Sequence, residues 1–280
     1  MSERARRVRA ALGVALACTL AQPLHAAPDS VFLEELTSTE LRQRIAAGAT
    51  TALVPIGGTE QNGAHMVLGK HNVRVHVLAG RIARQLGQAI VAPVMAYVPE
   101  GAIEPPSQHM RWAGTITISD AAFEAVLDGT VRSLRRHGFR RIVLLGDHGG
   151  YQSAMARVAD KLNRGAGHRP AYRVLALSEF YRAAQSDYAV MLRAKGFGAD
   201  EIGLHAGLAD TALALAVDPA LVRLDTMGIA PVAGSGVNGD PRRANAELGR
   251  EGVEHIVAVA VSAIRRRGNP PEESTNSNRP

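Results

Sequence analysis

The sequence predicts an α/β fold, a mostly parallel sheet covered by helices on both faces. Three observations predict it. Short apolar runs of strand length alternate with segments of helical periodicity, the pattern of successive βαβ units. Two of the runs end abruptly at Gly57 and Gly146, where polar clusters take over. Aromatic residues are only 4% of the chain while the apolar fraction is 46%, so the layers must pack through Ala, Gly and Val rather than large rings. At 280 residues the chain can bury one large core.

Taken in order, residues 51–57 read as a buried strand running into a Gly-Gly turn. Residues 73–86 have helical periodicity, and residues 89–94 form a second short apolar strand. Ser119 can cap a helix that runs to Arg136 and closes at His137-Gly138. Residues 141–146 are a strand and 151–163 the helix after it. Residues 172–177 are a strand and 179–195 a helix; 210–217 and 242–265 are also helical. In such sheets ligands bind beyond the carboxyl ends of the strands, where the polar segments after Gly57 and Gly146 both lie.

The two ends of the chain read differently. Arg4, Arg6, Arg7 and Arg9 precede an apolar stretch, and Leu24-His25-Ala26 offers a small residue for cleavage. Residues 1–26 are therefore expected to be an export signal. The apolar stretch is too short for a stable membrane anchor, so the mature protein is expected in the periplasm. Cys18 is the only cysteine; a lipoprotein anchor there is disfavoured because Ala15 stands where a larger aliphatic is usual. Removing residues 1–26 takes away four basic residues and one acid, and reduces the net charge from +6 to +3. No basic stripe with interleaved aromatics remains, which argues against nucleic-acid binding. The mature chain has no thiol, so any metal must use His, carboxylates and water. Residues 27–266 are expected to form one hydrolase domain, and residues 267–280 a disordered tail.

Four polar clusters carry the chemistry: Gly57 through His65 with Lys70-His71-Asn72; Ser107-Gln108-His109 with Gly114-Thr115; Gly146 through Gly150; and His205 through Thr211. A catalytic zinc commonly takes three ligands from His and Glu or Asp and keeps one position for water. No compact motif such as His-Glu-x-x-His is present. From spacing alone, metal ligation and simple hydrogen bonding of loop histidines both stay open.

Gly58-Thr-Glu-Gln-Asn-Gly-Ala-His65 resembles the Glu-Gln-His-Gly-x-His motif of the creatininase (creatinine amidohydrolase) family, and Gly146-Asp-His-Gly-Gly150 resembles its Asn-Gly-His-Gly-Gly motif. Ser107 to Thr115, His205 to Thr211 and Gly239-Asp240-Pro241 match further blocks in the same order, over about residues 30–265. The resemblance implies a three-layer α/β/α sandwich, a hexameric homo-oligomer, a small-molecule substrate and hydrolysis of C–N bonds, usually with two divalent metals. Carried over by position, Glu60 and His148 are implied ligands. Asn62 stands where the family has a His, His71 where it has a bridging Asp, and Gly150 where some members have a Glu. An imidazole nitrogen serves one metal, whereas a carboxylate can bridge two. The expectation is therefore one ion per chain, Zn2+ or alternatively Mn2+, on Glu60, His71 and His148.

Asp210 is a fourth ligand, a partner orienting His148, or a carboxylate near a helix N-terminus. His205 is the candidate proton shuttle, or else a structural histidine starting a helix. His65, Asn62, His109 and Asp147 are expected in the substrate pocket. The expected activity is hydrolysis of a small cyclic or related amide. Ester or lactone hydrolysis on the same scaffold, and a non-catalytic exported ligand-binding protein, are the alternatives. Asn62, His71 and Leu204 argue against creatinine itself as substrate.

Overall fold

The computed structural model describes residues 29–165 and 172–268. The expected signal segment, 1–26, lies outside these residues, as does the stretch from 269 onward. Among the described residues no helix is long and apolar enough to cross a membrane.

The elements, in chain order, are α1 (Ser38–Ala46), β1 (Thr51–Ile56), α2 (Lys70–Leu86), β2 (Ala89–Val91), α3 (Asp120–Arg136), β3 (Arg141–Gly146), α4 (Gln152–Arg164), β4 (Arg173–Ala176), α5 (Ser178–Arg182), α6 (Tyr188–Ala194), α7 (Ala199–Ile202), α8 (Leu208–Val217), α9 (Leu224–Met227) and α10 (Ala246–Gly268). One π-helical turn, Ala183–Asp187, joins α5 to α6, so the expected helix over 179–195 is continuous but locally widened. Helix α1 was not anticipated. Its start is a capping box, in which the Thr37 hydroxyl accepts from the Glu40 amide and the Glu40 carboxylate accepts from the Thr37 amide; this satisfies two otherwise orphaned donors. Helix α10 begins at Ala246 rather than at 242, because Asp240 ties up the Arg242 amide in a turn and Asn245 then caps the Leu248 amide. At its far end α10 runs to Gly268, two residues into the segment expected as a tail, and Arg267 pairs with Glu179.

Among the described residues the sheet has four strands, all parallel, in the order β2-β1-β3-β4. Alternate residues of the strands face opposite layers. Leu53, Val143 and Leu145 join a core with α2, α8 and α10. Ala52, Val54, Ile142 and Leu144 join a second core with α3 and α4. The result is the expected α/β/α sandwich. The sheet edges are covered locally. The Asn163 side-chain amide both accepts from and donates to the backbone of Val174 on β4, at 2.9 and 2.8 Å. On the other side the Val91 amide of β2 donates to Val31 at 2.7 Å. Such pairing blunts edges that would otherwise template association.

The topology positions the site. From β1 the chain crosses to β2 on one side, then returns to β3 on the other side of β1. The connections after β1 and β3 therefore diverge, and a crevice opens at their carboxyl ends, the switch point of an open α/β sheet. Register sharpens this, because Ile56 at the end of β1 lies opposite Gly146 at the end of β3. The Gly57–Gly58 turn and the Asp147–His148 segment thus leave the sheet side by side.

Candidate metal centre

One side chain ties the two strand ends together. Tyr151 is fully buried; its hydroxyl donates toward the Ile56 and Gly57 carbonyls at 2.8 and 2.7 Å and accepts from the Asp147 and His148 amides at 3.1 and 3.0 Å. It fixes where Asp147 and His148 stand relative to the first loop.

Helix α2 presents its buried face to the same place. That face is apolar along Val75, Leu78 and Ile82, but its first turn carries Lys70, His71 and Arg74, all buried. Each of the three finds a carboxylate. Lys70 Nζ lies 2.7 Å from Asp210 and 3.7 Å from Glu60. His71 Nδ1 lies 2.6 Å from Asp147, and its Nε2 lies 2.7 Å from Glu60. The Arg74 guanidinium donates to Asp147 at 2.9 Å and to Asp210 at 2.8 Å. The six side chains close a ring, Glu60–His71–Asp147–Arg74–Asp210–Lys70, in which every neighbour is a potential counter-charge. Burying charges is tolerable only when they are paired and hydrogen-bonded in this way.

Glu60 is also the hub of the open side. His109 Nε2 lies 3.1 Å from Glu60 Oε2, His148 Nε2 lies 3.6 Å from it, and His205 Nδ1 lies 3.7 Å from Glu60 Oε1. The His148 Nδ1 atom lies 3.5 Å from a carboxylate oxygen of Glu100. Glu60, Glu100, His109 and His148 each bring one ligand atom, and these atoms all lie within 4.8 Å of one another. Glu60 Oε2 and both Glu100 oxygens are buried without a hydrogen-bond partner. A buried carboxylate lacking donors is costly; a divalent cation at this place would satisfy all three oxygens, so the residues fit a metal.

Burial opposes the charge on Glu60, but His71, Lys70 and His148 outweigh it and hold the carboxyl well below the usual range. Glu100 is pushed up to about 9 by burial and then by the neighbouring Glu60 charge. Burial takes the His148 imidazole down to about 3 and that of His205 down to about 4, so both are neutral near pH 7, the form that offers a lone pair. His109 is lowered by burial as well. The backbone beside two of these histidines is strained: Gln108 and Ala206 have φ of 48° and 54°, a conformation that non-glycine residues adopt at a cost of about 1 kcal/mol or more.

The remaining candidates fall around this centre. Asp147, expected in the substrate pocket, is instead buried within the ion ring, where His71 and Arg74 take up its oxygens. Asp210 sits in the first turn of α8 with Lys70, Arg74 and the Ala206 amide on its oxygens. Asn62 turns its amide to the Glu60 and Val67 carbonyls and fixes the loop, leaving its Oδ1 without a partner. His65 is buried against the Thr211 hydroxyl at 3.1 Å, and burial lowers it. Four participants were given no role by the sequence reading. Gln61 reaches His205, His109 and the Gly236 carbonyl; Glu100 carries no spacing signature; Lys70 and Arg74 were legible only as charges on a helix face otherwise apolar.

The Asp210 contacts yield a pH prediction. Burial opposes its charge, but Lys70 and Arg74 outweigh that and hold the carboxyl well below its ordinary value. A carboxyl depressed in the folded chain contributes stability that is fully present above its unfolded value, near ~4, and is lost as pH falls toward the folded value. Asp210→Asn is expected to cost about 3 kcal/mol at neutral pH, since it leaves two buried cations short of a partner. It should also flatten the loss of stability between about pH 4 and 2. Urea unfolding across that range checks both.

Residues 34–264 match the creatininase family, described as creatinine amidohydrolase. The chain belongs to the creatininase family. The creatinine amidohydrolase of Pseudomonas putida is 31% identical over 201 residues, covering 70% of this chain and 75% of that protein. The mycofactocin precursor peptide peptidase of Mycolicibacterium smegmatis is 28% identical over 240 residues, covering 76% and 84%. Creatininase structures superpose over 86% of this chain. A manganese form matches at TM-score 0.70 and 28% identity over 100% of its own chain. A mutant in a zinc–zinc form matches at 0.66 and 27% over 99%. The creatininase fold expected from the motifs is the fold observed.

Proposed function

We propose that this creatininase-family chain is a metal-dependent hydrolase that cleaves a C–N bond of a small cyclic amide or related amide. The observation that carries this is the buried group of Glu60, Glu100, His109 and His148, with three carboxylate oxygens that no protein donor satisfies. These residues would hold a divalent ion, Zn2+ or Mn2+, which when bound supplies Lewis acidity toward the amide carbonyl and a nucleophile at neutral pH.

The chain's own residues do the rest. Glu60 anchors the centre, and its position is fixed from behind by His71 and Lys70. The His205 Nε2 atom lies 2.9 Å from the Gln61 backbone carbonyl and 3.1 Å from the Gln61 side-chain nitrogen, which together hold the ring in place. Its Nδ1 faces Glu60 Oε1 at 3.7 Å. A neutral imidazole placed there can take a proton from water and pass it to the leaving nitrogen. His109 packs against His205 with ring centroids 4.5 Å apart and limits its rotation.

The test is hydrolysis of a matched lactam and lactone before and after chelation. Chelated protein is expected to lose at least about 100-fold in rate and to regain it with Zn2+ or Mn2+, with the lactam the better substrate. Full activity after chelation would remove the metal from the reaction. Faster lactone turnover would move the chemistry to esters.

A further inference from the structure

Glu100 is the unexplained acid of this site. It lies in the loop between β2 and α3, where the Thr117 hydroxyl accepts from its amide at 2.9 Å, and its side chain is wholly buried. Room for it is made by Gly58, whose φ is 156° and where a Cβ would come within 2.5 Å of Glu100 Oε1. Its carboxylate turns toward Glu60 and His148, yet accepts no hydrogen bond.

His71 is the opposite case. Each of its ring nitrogens faces a carboxylate oxygen at 2.6 to 2.7 Å. Both ring nitrogens are thus taken up by protein partners, and Nδ1 also lies 3.2 Å from an Arg74 guanidinium nitrogen, so neither edge of the ring is open to a metal. Its cationic neighbours Lys70 and Arg74 close the ring behind it, with Asp147 and Asp210 saturated by them. On that side of Glu60 the positive charge comes from the protein itself, and a second dication would stand against the Lys70 ammonium and the Arg74 guanidinium.

We propose that this chain holds one divalent ion, with Glu100 as a ligand alongside Glu60, His109 and His148. Lys70 and Arg74 take the place of the second ion of the zinc–zinc relative, and His71, held between Glu60 and Asp147, is a positioning residue rather than a ligand. The proposal rests on the metal dependence proposed above and concerns which side chains carry it.

Binding is read without activity, by calorimetry of Zn2+ and Mn2+ into chelated full-length protein. Wild type is expected to take one equivalent. Glu100→Gln should weaken binding at least about 100-fold, as loss of a ligand does, while His71→Gln should weaken it only about tenfold, as loss of an outer-shell partner does. Melting separates ligation from folding. Glu100→Gln should keep the metal-free Tm, because it replaces a buried carboxyl without partners by a neutral amide of the same shape, and should lose most of the Zn2+-induced rise in Tm. Two equivalents in wild type, or unchanged affinity in Glu100→Gln, overturns the proposal while leaving metal dependence intact. No binding of either ion by wild type overturns both.

Discussion

Replacing Glu60 with glutamine is expected to abolish turnover and to cost the folded chain about 3 kcal/mol. Glu60 is fully buried and touches five polar side chains, Lys70, His71, His109, His148 and His205. Its charge offsets the cationic first turn of α2 on one side and would anchor the ion on the other. The amide keeps the shape but removes the charge, so the ring keeps its cations with one acid fewer. Urea unfolding of chelated protein isolates the stability term, and calorimetric Zn2+ titration isolates the ligand term. Binding is expected to fall by more than the about 100-fold ascribed to outer-shell partners. A Glu60→Gln protein with wild-type affinity would remove the hub role altogether.

The second large effect is expected at His205. Changing it to glutamine should leave ion affinity within a few-fold and lower kcat by about 10²–10⁴, the range ascribed to a positioned acid–base group. His205 stands outside the four-residue group, held by Gln61 with Nδ1 toward Glu60. The split between retained metal and lost turnover separates a proton shuttle from a ligand. A kcat near wild type would assign His205 to structure, in keeping with its start-of-helix position ahead of α8.

The particular residues show how far a sequence reading carries. Strands β1 and β3 were legible because short apolar runs stopped at Gly57 and Gly146. The parallel pairing then placed both following loops at one end of the sheet. Ser119 as the cap of α3 was legible too, and its hydroxyl does accept the Ala122 amide. Helix α1 had a readable capping box in Thr37–Glu40 but a weakly apolar face, with no buried residue. His71 was placed correctly near Glu60 by its closeness in sequence, though it stands in the first turn of α2 rather than in the loop before it, and its partners were invisible, since Asp147 lies 76 residues away.

The sequence by itself determined the fold, the family and the strand ends at which Glu60 and His148 meet, because strand periodicity and short ordered motifs are local properties of the chain. Only the tertiary structure decided what surrounds Glu60. Lys70, His71 and Arg74 from one turn of α2 face Asp147 at the end of β3 and Asp210 at the start of α8, while Glu100 arrives from the β2–α3 loop with no hydrogen bond to satisfy it. Charge pairing inside a low-dielectric crevice depends on distances of a few ångströms between segments far apart in the chain, and no spacing pattern encodes those distances.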